Sequence, residues 1–298
     1  MSKIKVAIIG TGNCAKSLVE GVQFYTENQA NIDGMMRSDI GGYTAKDIEF
    51  VCAFDIDERK VNQPLGVALK QKPNSAWNIV EKITSKAPVY EAPVIDGYAL
   101  LMDAYPEANR FLVSEDLRNT TEMNRTDWTD KKSRLWKDRV IAQLKEHEVE
   151  VLINYLPVGS QNATEFWAEI CLETGISLVN CIPVFIASDP AWEKRFIDAG
   201  IPLIGDDMRS QFGASILSQM LQELAFERGH VVKAHIQRNV GGNTDFLNME
   251  DKTRLKSKKI SKENVIRAQN EIRGIATEGS FLHAGPSEYI SYYGDNKV

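Results

Sequence analysis

Short apolar runs alternate with amphipathic stretches over the first two thirds of the chain. The run from Val6 to Ile9 is continuous, rich in β-branched residues and closed by Gly10, which is typical of a strand buried on both faces of a parallel sheet. The run from Asp47 to Phe54 has the same character. The alternation then predicts a helix at about 13–25, strands at 149–154, 176–180 and 201–204, and helices at 161–173 and 191–199. This order predicts an α/β fold with a Rossmann-type parallel sheet.

Two polar stretches interrupt the alternation. Residues 27–46 lie between the first helix and the second strand and contain several glycines, so we expect an excursion or lid there. Residues 119–137 are highly charged and show little periodicity. They are predicted to form a surface insertion ahead of a helix that ends near Glu146.

The last third of the chain has a different pattern. Apolar residues recur at helical spacing over residues 210–229, which predicts a helix closed by a glycine cap. Residues 231–239 alternate like a strand, and a loop rich in glycine, asparagine and lysine is expected to about residue 262. We therefore predict a parallel-sheet domain over residues 1–205 and a second, α+β domain over residues 206–298.

A glycine-rich turn connects the first strand to the first helix. Gly10, Gly12 and Ala15 form a G-x-G-x-x-A pattern, with Asn13 and Cys14 at the start of the helix. In dinucleotide-binding proteins the first glycine makes the tight turn and the second lets the backbone approach the pyrophosphate, which then meets the helix N-terminus. An ordinary turn is the alternative. The position between a buried strand and an amphipathic helix favours the dinucleotide site.

An acidic residue ends the second strand. Asp55 is placed to accept hydrogen bonds from a ribose 2′-hydroxyl, which favours NAD over NADP. It follows Gly10 by 45 residues rather than by about 20, and the excursion at 27–46 accounts for the difference. The alternative is that Asp55 caps the turn that follows it.

A third polar segment follows the strand predicted at 149–154. Asn154, Tyr155 and Pro157 belong to the sequence N-Y-L-P-V-G-S, at the carboxyl edge of the sheet where open α/β folds bind their ligands. We expect these residues near the nicotinamide half of the cofactor. The alternative is a plain turn followed by a helix N-cap at Ser160.

Amides and ammonium groups are concentrated between residues 241 and 262. Lys258 and Lys262 are four residues apart and would share one face of a helical turn. Two cations on one face repel each other unless an anion lies between them, and a phosphate, an enolate or a developing alkoxide would be such an anion. The alternative is a solvated basic stretch, because charge runs usually face water.

Composition limits the partners of the chain. With 35 basic and 41 acidic residues the net charge is −6, which disfavours nucleic acid and anionic membranes as partners. The N-terminal apolar run is too short for a signal peptide or a membrane span. The cysteines lack metal-ligand spacing, so we expect reduced thiols in a cytoplasmic protein: Cys14, Cys52, Cys171 and Cys181.

Six segments, taken together in order and spacing, resemble the myo-inositol-1-phosphate synthase family in its shorter prokaryotic form. They are residues 10–22, 154–160, 183–190, 205–215, 239–249 and 257–262. The resemblance implies conversion of D-glucose 6-phosphate into 1L-myo-inositol 1-phosphate, with NAD reduced and then reoxidised. The implied steps are oxidation at C5, enolisation by loss of a C6 proton, aldol closure onto C1 and reduction of the ring ketone. It also implies a homotetramer and a divalent or monovalent cation near the nicotinamide.

The same resemblance assigns roles by motif position. The catalytic residues it implies are Lys258, Lys262, Asp245 and Lys297; those that contact substrate are Ser210, Asn243 and Asn248; and Asp207 lies on the cofactor side of the pocket. The second domain is then the catalytic and oligomerisation domain, and the first binds NAD. The family continues beyond the position of Val298 by roughly half an ordinary domain, so we expect an exposed sheet edge here.

Two other functions fit the same residues. One is an NAD-dependent dehydrogenase that acts on a different phosphorylated substrate. The other is an NAD-binding protein without catalytic activity.

Overall fold

A computed structural model describes residues 3–123, 128–208, 213–273 and 281–294. Its first part contains six strands: β1 (Ile4–Ile9), β2 (Ile48–Asp55), β3 (Val89–Glu91), β4 (Val151–Asn154), β5 (Ser177–Asn180) and β6 (Leu203–Ile204). They form one parallel sheet in the order β3-β2-β1-β4-β5-β6. This is the doubly wound order in which the direction of winding reverses between β1 and β4. The predicted α/β fold with a Rossmann-type sheet is confirmed.

Helices cover the sheet. They are α1 (Asn13–Glu27), α2 (Leu65–Ala68), α3 (Glu115–Arg118), α4 (Lys131–Glu146), α5 (Gln161–Thr174) and α6 (Pro190–Ala199). The sequence accounts for α6 at both ends, because the Asp189 carboxylate accepts hydrogen bonds from the amides of Ala191 and Trp192, Pro190 occupies the first turn, and Gly200 ends the helix in the left-handed conformation.

The core lies on both faces of the central strands. Ala7, Ile8 and Ile9 of β1 are fully buried, as the continuous apolar run predicts. On one face, the ring of Phe54 at the end of β2 lies 4.9 Å from the ring of Trp167 in α5, centroid to centroid. The two-sided burial explains why these strands show no polar alternation.

The two polar stretches differ in structure. Residues 27–46 contain no strand and only the beginning of a 3-10 turn at Ala45–Asp47, and their side chains are mostly exposed. Residues 119–137 are not simply a surface insertion, and this prediction is corrected: Met123 and Trp128 are buried, and Trp128 packs edge-on against Phe166 at 5.2 Å. Two isolated apolar residues in a charged segment produce no periodic signal, so the pattern could not reveal them.

The last part of the chain forms a second α+β unit. Its elements are α7 (Ala214–Glu227), β7 (Ala234–Gly241), α8 (Thr244–Asn248), α9 (Lys256–Ile272) and β8 (Phe281–Tyr289). The strands β7 and β8 pair in parallel. The loop expected up to residue 262 is wrong, because α8, a 3-10 turn at Lys252–Leu255 and the start of α9 lie within it.

Hydroxyl and amide side chains line the interior of this unit. The Ser218 hydroxyl on α7 donates to Gln237 of β7 at 3.0 Å, and the Gln222 amide on α7 donates to Asn270 of α9 at 3.3 Å. The large apolar residues of α7 point the other way and are more than half exposed: Leu217, Met220, Leu221 and Leu224. Among the described residues, no helix has the length and apolar character needed to cross a membrane.

The buried tryptophan in the charged segment should carry part of the stability. Replacing Trp128 by alanine is expected to lower the free energy of unfolding by about 3–5 kcal/mol, because it leaves a cavity against Phe166. Trp77 is 79% exposed, so Trp77→Ala is the matched control and should change stability by less than about 0.5 kcal/mol. Chemical denaturation checks both, and equal effects would contradict the buried placement.

Candidate active site

The glycine turn lies at the point where the strand order reverses. The Gly10 amide donates to the Phe54 carbonyl at 2.8 Å, and Gly10 itself has a φ of +83°. A Cβ on Gly10 would come within 2.7 Å of the Tyr155 carbonyl oxygen, so only glycine fits between β1 and the segment after β4. A Cβ on Gly12, at the N-cap of α1, would meet no atom within 4 Å. The turn is therefore packed behind Gly10 and open in front of Gly12, as a pyrophosphate site requires.

The Asp55 carboxylate holds this turn from the adjacent strand. One oxygen accepts from the amide of Thr11 at 2.7 Å and from the Thr11 hydroxyl, and the other accepts from the amides of Ile56 and Asp57 at 2.7 and 2.9 Å. A carboxylate accepts about four such bonds. Asp55 thus caps the turn that follows it, which was the alternative to ribose binding. The ribose contact stays a prediction, and it would have to share or replace the bond to the Thr11 hydroxyl.

A buried lysine completes the support of the turn. Lys60 is 1% exposed, and its ammonium donates to the Thr11 carbonyl at 2.8 Å and to the Asn74 amide oxygen at 2.9 Å. Burial lowers the pKa of Lys60. Burial also opposes ionisation of Asp55, but the Lys60 charge and the bonds from Thr11 outweigh it, so the pKa of Asp55 lies below its ordinary value. The sequence gives no signal for this contact.

Asn13 and Cys14 occupy the first turn of α1. The Asn13 side-chain oxygen accepts from the amides of Ser75 and Ala76 at 2.8 and 2.9 Å, so it holds a neighbouring loop beside the turn. The Cys14 side chain is exposed at the same place. Asn13 thus shapes the rim of the pyrophosphate site, while a contact of either side chain with the cofactor stays a prediction.

The segment after β4 is ordered by buried amides. The Asn154 side chain is fully buried, accepts from the Leu156 amide at 3.0 Å and donates to the Asn180 side chain at 2.9 Å. Burial raises the pKa of the Tyr155 hydroxyl well above its ordinary range. Ser160 stands at the N-cap of α5, as the alternative interpretation had it, but its hydroxyl donates to the Pro157 carbonyl at 2.6 Å and does not cap the helix.

The cap of α5 comes from elsewhere in the chain. The Asp96 carboxylate accepts from the amides of Asn162 and Ala163 at 2.8 and 2.9 Å. Asp207, assigned to the cofactor side of the pocket, has a φ of +62° and donates its amide to the Ile182 carbonyl at 3.1 Å. Asp96 was missed by the sequence interpretation, although its Asp-Gly pair is a turn signal.

Residues of the second unit lie against this segment. Asn248 is fully buried and its amide nitrogen donates to the Val158 carbonyl at 2.8 Å, while its side-chain oxygen is buried without a hydrogen-bond partner. The Lys258 ammonium lies 3.0 Å from the Asp245 carboxylate, and the Lys258 side chain is 18% exposed. The Asn243 oxygen caps α8 by accepting from the Phe246 amide at 3.2 Å. The structure thus places Asn248 of α8 on the segment after β4, and Asp245 of the same helix on Lys258 of α9, which we call the lysine helix.

Several predicted site residues are not described. Ser210 and Lys297 lie outside the described residues, as does the side chain of Lys262, whose backbone belongs to α9 one turn after Lys258. Within the described ranges, no group of three or more histidine, cysteine, aspartate or glutamate side chains could hold a metal ion. The cation that the resemblance implies stays a prediction.

A groove of about 660 Å³ lies at the edge of the sheet opposite the candidate site. It is lined by residues near the starts of β1, β2 and β4, such as Lys5, Phe50 and His147. It contains none of the predicted site residues. The carboxyl edge, where the polar contacts above converge, is therefore the candidate active site.

Comparisons with known proteins identify the family of the chain. A family model described as myo-inositol-1-phosphate synthase matches residues 213–298. The inositol-3-phosphate synthase of Mycobacterium tuberculosis is 38% identical over 298 residues, covering 99% of this chain and 74% of that protein. That of Mycolicibacterium smegmatis is 38% identical over 299 residues, covering 99% and 76%. The chain belongs to the myo-inositol-1-phosphate synthase family.

A solved structure shows the same fold. A myo-inositol-1-phosphate synthase-related protein from Thermotoga maritima aligns with a TM-score of 0.74 at 24% identity, covering 99% of this chain and 76% of that one. The resemblance seen in the sequence motifs is confirmed at the level of the family by the mycobacterial relatives, and the solved structure shows that the fold is shared.

Substitution of the two glycines of the turn should affect different properties, the stability of the fold at Gly10 and the binding of NAD at Gly12. Gly10→Ala is expected to lower the free energy of unfolding by about 1–3 kcal/mol or more, because a side chain is strained at this φ and collides with the Tyr155 carbonyl. Gly12→Ala should fold nearly as the parent but bind NAD at least about tenfold more weakly, because its methyl group occupies the open side of the turn. Thermal denaturation and isothermal titration with NAD measure the two effects. Unchanged NAD affinity in Gly12→Ala would remove this turn from the cofactor site.

Proposed function

We propose that this protein converts D-glucose 6-phosphate into 1L-myo-inositol 1-phosphate with NAD as a recycled cofactor, as an isomerase of the inositol-3-phosphate synthase type. The observation that carries the proposal is that Asn248 of α8 donates to the Val158 carbonyl after β4, while Asp245 of the same helix pairs with the Lys258 ammonium. The Tyr155 carbonyl of that segment packs on Gly10 of the glycine turn. A polar catalytic group and a dinucleotide site at one sheet edge are what the family's reaction needs.

The residues present fit NAD. The open space before Gly12 and the packed glycine at position 10 suit a pyrophosphate. When bound, NAD supplies reversible hydride transfer, so the overall reaction is redox-neutral. The residues proposed to hold it are Gly10, Gly12, Asn13 and Cys14 at the pyrophosphate, Asp55 at the ribose, and Asn154, Tyr155, Pro157 and Asp207 at the nicotinamide half.

The side chains of α8 and α9 are proposed to handle charge and protons. A lysine ammonium that is mostly withdrawn from water attracts a phosphate or a developing oxyanion more strongly than an exposed one does. Asp245 orients the Lys258 ammonium through their 3.0 Å contact. Lys262, one turn later on the same helix, and Lys297 complete the proposed catalytic set, with Ser210, Asn243 and Asn248 binding the sugar.

The outer face of α7 supports the homo-oligomer that the resemblance implies. Its four large apolar residues are spaced as a single helical stripe and are more than half exposed, and such stripes are usually covered in an assembly. The tetramer stays a prediction, and light scattering of the protein in solution tests it. The cytoplasmic location also stays a prediction.

The central experiment is a balance of products. Incubating the protein with NAD and glucose 6-phosphate is expected to yield inositol phosphate, detected by phosphorus NMR, with no net NADH. Formation of one NADH per substrate would favour the dehydrogenase alternative. Bound NAD without turnover of any sugar phosphate would favour the inactive NAD-binding protein.

The lysines of α9 should be needed for turnover and not for cofactor binding. Lys258→Met and Lys262→Ala are each expected to reduce kcat about 10²- to 10⁴-fold, the range for a lost proton-transfer or charge-stabilising group, while NAD binding stays unchanged. The matched control is Lys252→Ala, because Lys252 is exposed on the preceding 3-10 turn. Full activity of the α9 variants would exclude these lysines from the reaction.

A further inference from the structure

A buried arginine joins the two parts of the molecule beside the candidate site. Arg254 is 9% exposed. Its guanidinium donates from Nε to the Val158 carbonyl at 3.1 Å, from Nη1 to the Asp96 carbonyl at 2.7 Å and from Nη2 to the Ser160 hydroxyl at 3.2 Å. The three acceptors belong to the first domain, whereas Arg254 belongs to the 3-10 turn that precedes α9.

The desolvation of the buried Arg254 guanidinium offsets the free energy gained from its hydrogen bonds. Its three bonds go to neutral oxygens, and burial lowers the pKa of Arg254, although the nearby charges of Asp96 and Asp251 partly offset this. A buried cation without a direct carboxylate partner costs more desolvation than it recovers in attraction. Stability alone therefore does not account for a guanidinium at this position.

Arg254 packs tightly against the segment after β4 at Gly159. Gly159 has a φ of +87°, and a Cβ there would lie 2.5 Å from the Arg254 Cβ. The Val158 carbonyl accepts from both Arg254 and Asn248. The segment after β4 is therefore held by two residues that flank the junction between α8 and α9.

The contact on the helix side sets the position of the lysine. Arg254 precedes Lys258 by four residues, through the end of the 3-10 turn and the first residues of α9. A rigid helical connection passes any displacement of Arg254 on to Lys258. Through the Asp96 carbonyl, the guanidinium is also tied to the residue that caps α5.

We propose that Arg254 is a positioning residue, which fixes the start of the lysine helix against the segment beside the nicotinamide half of the cofactor site. This inference rests on the proposed function for its kinetic consequence but not for its structural one. The planar fork of arginine satisfies three acceptors in one plane, which a lysine cannot do.

The structural consequence is tested without substrate. In Arg254→Ala, hydrogen–deuterium exchange should rise at least about tenfold in peptides covering residues 157–163 and 252–262 together, because both lose the same anchor, while β1 and α1 stay protected. Arg195→Ala is the control, since Arg195 is half-exposed on α6 and pairs with Glu169. Unchanged exchange in both peptides would overturn the proposal.

The kinetic consequence separates positioning from folding. Arg254→Ala should reduce kcat about 100-fold, the cost of a misplacement near 1 Å, with NAD affinity and KM changed less than about threefold. Added methylguanidinium should restore at least part of kcat by filling the vacated site. Loss of NAD binding in parallel with the folded fraction, without rescue, would reduce Arg254 to a structural residue and overturn the proposal.

If Arg254→Ala does not fold, Arg254→Lys tests the positioning role instead. Arg254→Lys retains the charge and most of the volume but offers a single point of donation, so it should fold and show an intermediate loss of kcat. Wild-type kcat in a folded Arg254→Lys would contradict the proposal. If the parent protein makes no inositol phosphate but the exchange result holds, the proposed function fails while the anchoring by Arg254 stands.

Discussion

The arrangement of the site depends on one close approach, between Gly10 and the Tyr155 carbonyl. These residues follow the neighbouring strands β1 and β4, where the winding of the sheet reverses, and they lie too near each other for any side chain to intervene. The open side of the glycine turn, at Gly12, therefore faces away from the segment after β4, which runs along the packed side at Gly10. Everything that docks on that segment, including Asn248 and Arg254, is brought to the cofactor edge by the same constraint.

The sheet was predictable because its strands are buried on both faces. A continuous apolar run such as Val6 to Ile9 carries its own signal, and the glycine turn marks its end. The helices between residues 241 and 262 were missed because glycine and asparagine are poor helix formers and because the lysines contribute no apolar periodicity. Side-chain caps by Asn243 and Asp251 start these helical segments, and contacts with the first domain stabilise them. Such tertiary stabilisation overrides composition.

The candidate site was predictable only where a motif carried the residues. Lys258 and Asp245 were found through their motif, and the structure brings them into contact. Lys60, Asn74 and Arg254 were missed because their partners are distant in sequence. In addition, the two basic residues among them would by default be expected to face water. The position of Asp55 at the end of the second strand was predicted correctly. Its bonds to Thr11 could not be predicted, because they depend on the pairing of β1 with β2.

Arg254 excludes a side chain at Gly159, although the two residues lie in different parts of the chain. A Cβ at 159 would lie 2.5 Å from the Arg254 Cβ and 2.9 Å from its Cα, so the backbone at 254 would have to move. Loss of the guanidinium would leave the Asp96 carbonyl short of a donor, whereas the Val158 carbonyl would keep the Asn248 amide. A chimera built from the first domain of one relative and the second domain of another would keep its catalytic geometry only if both parents share a compatible pair here.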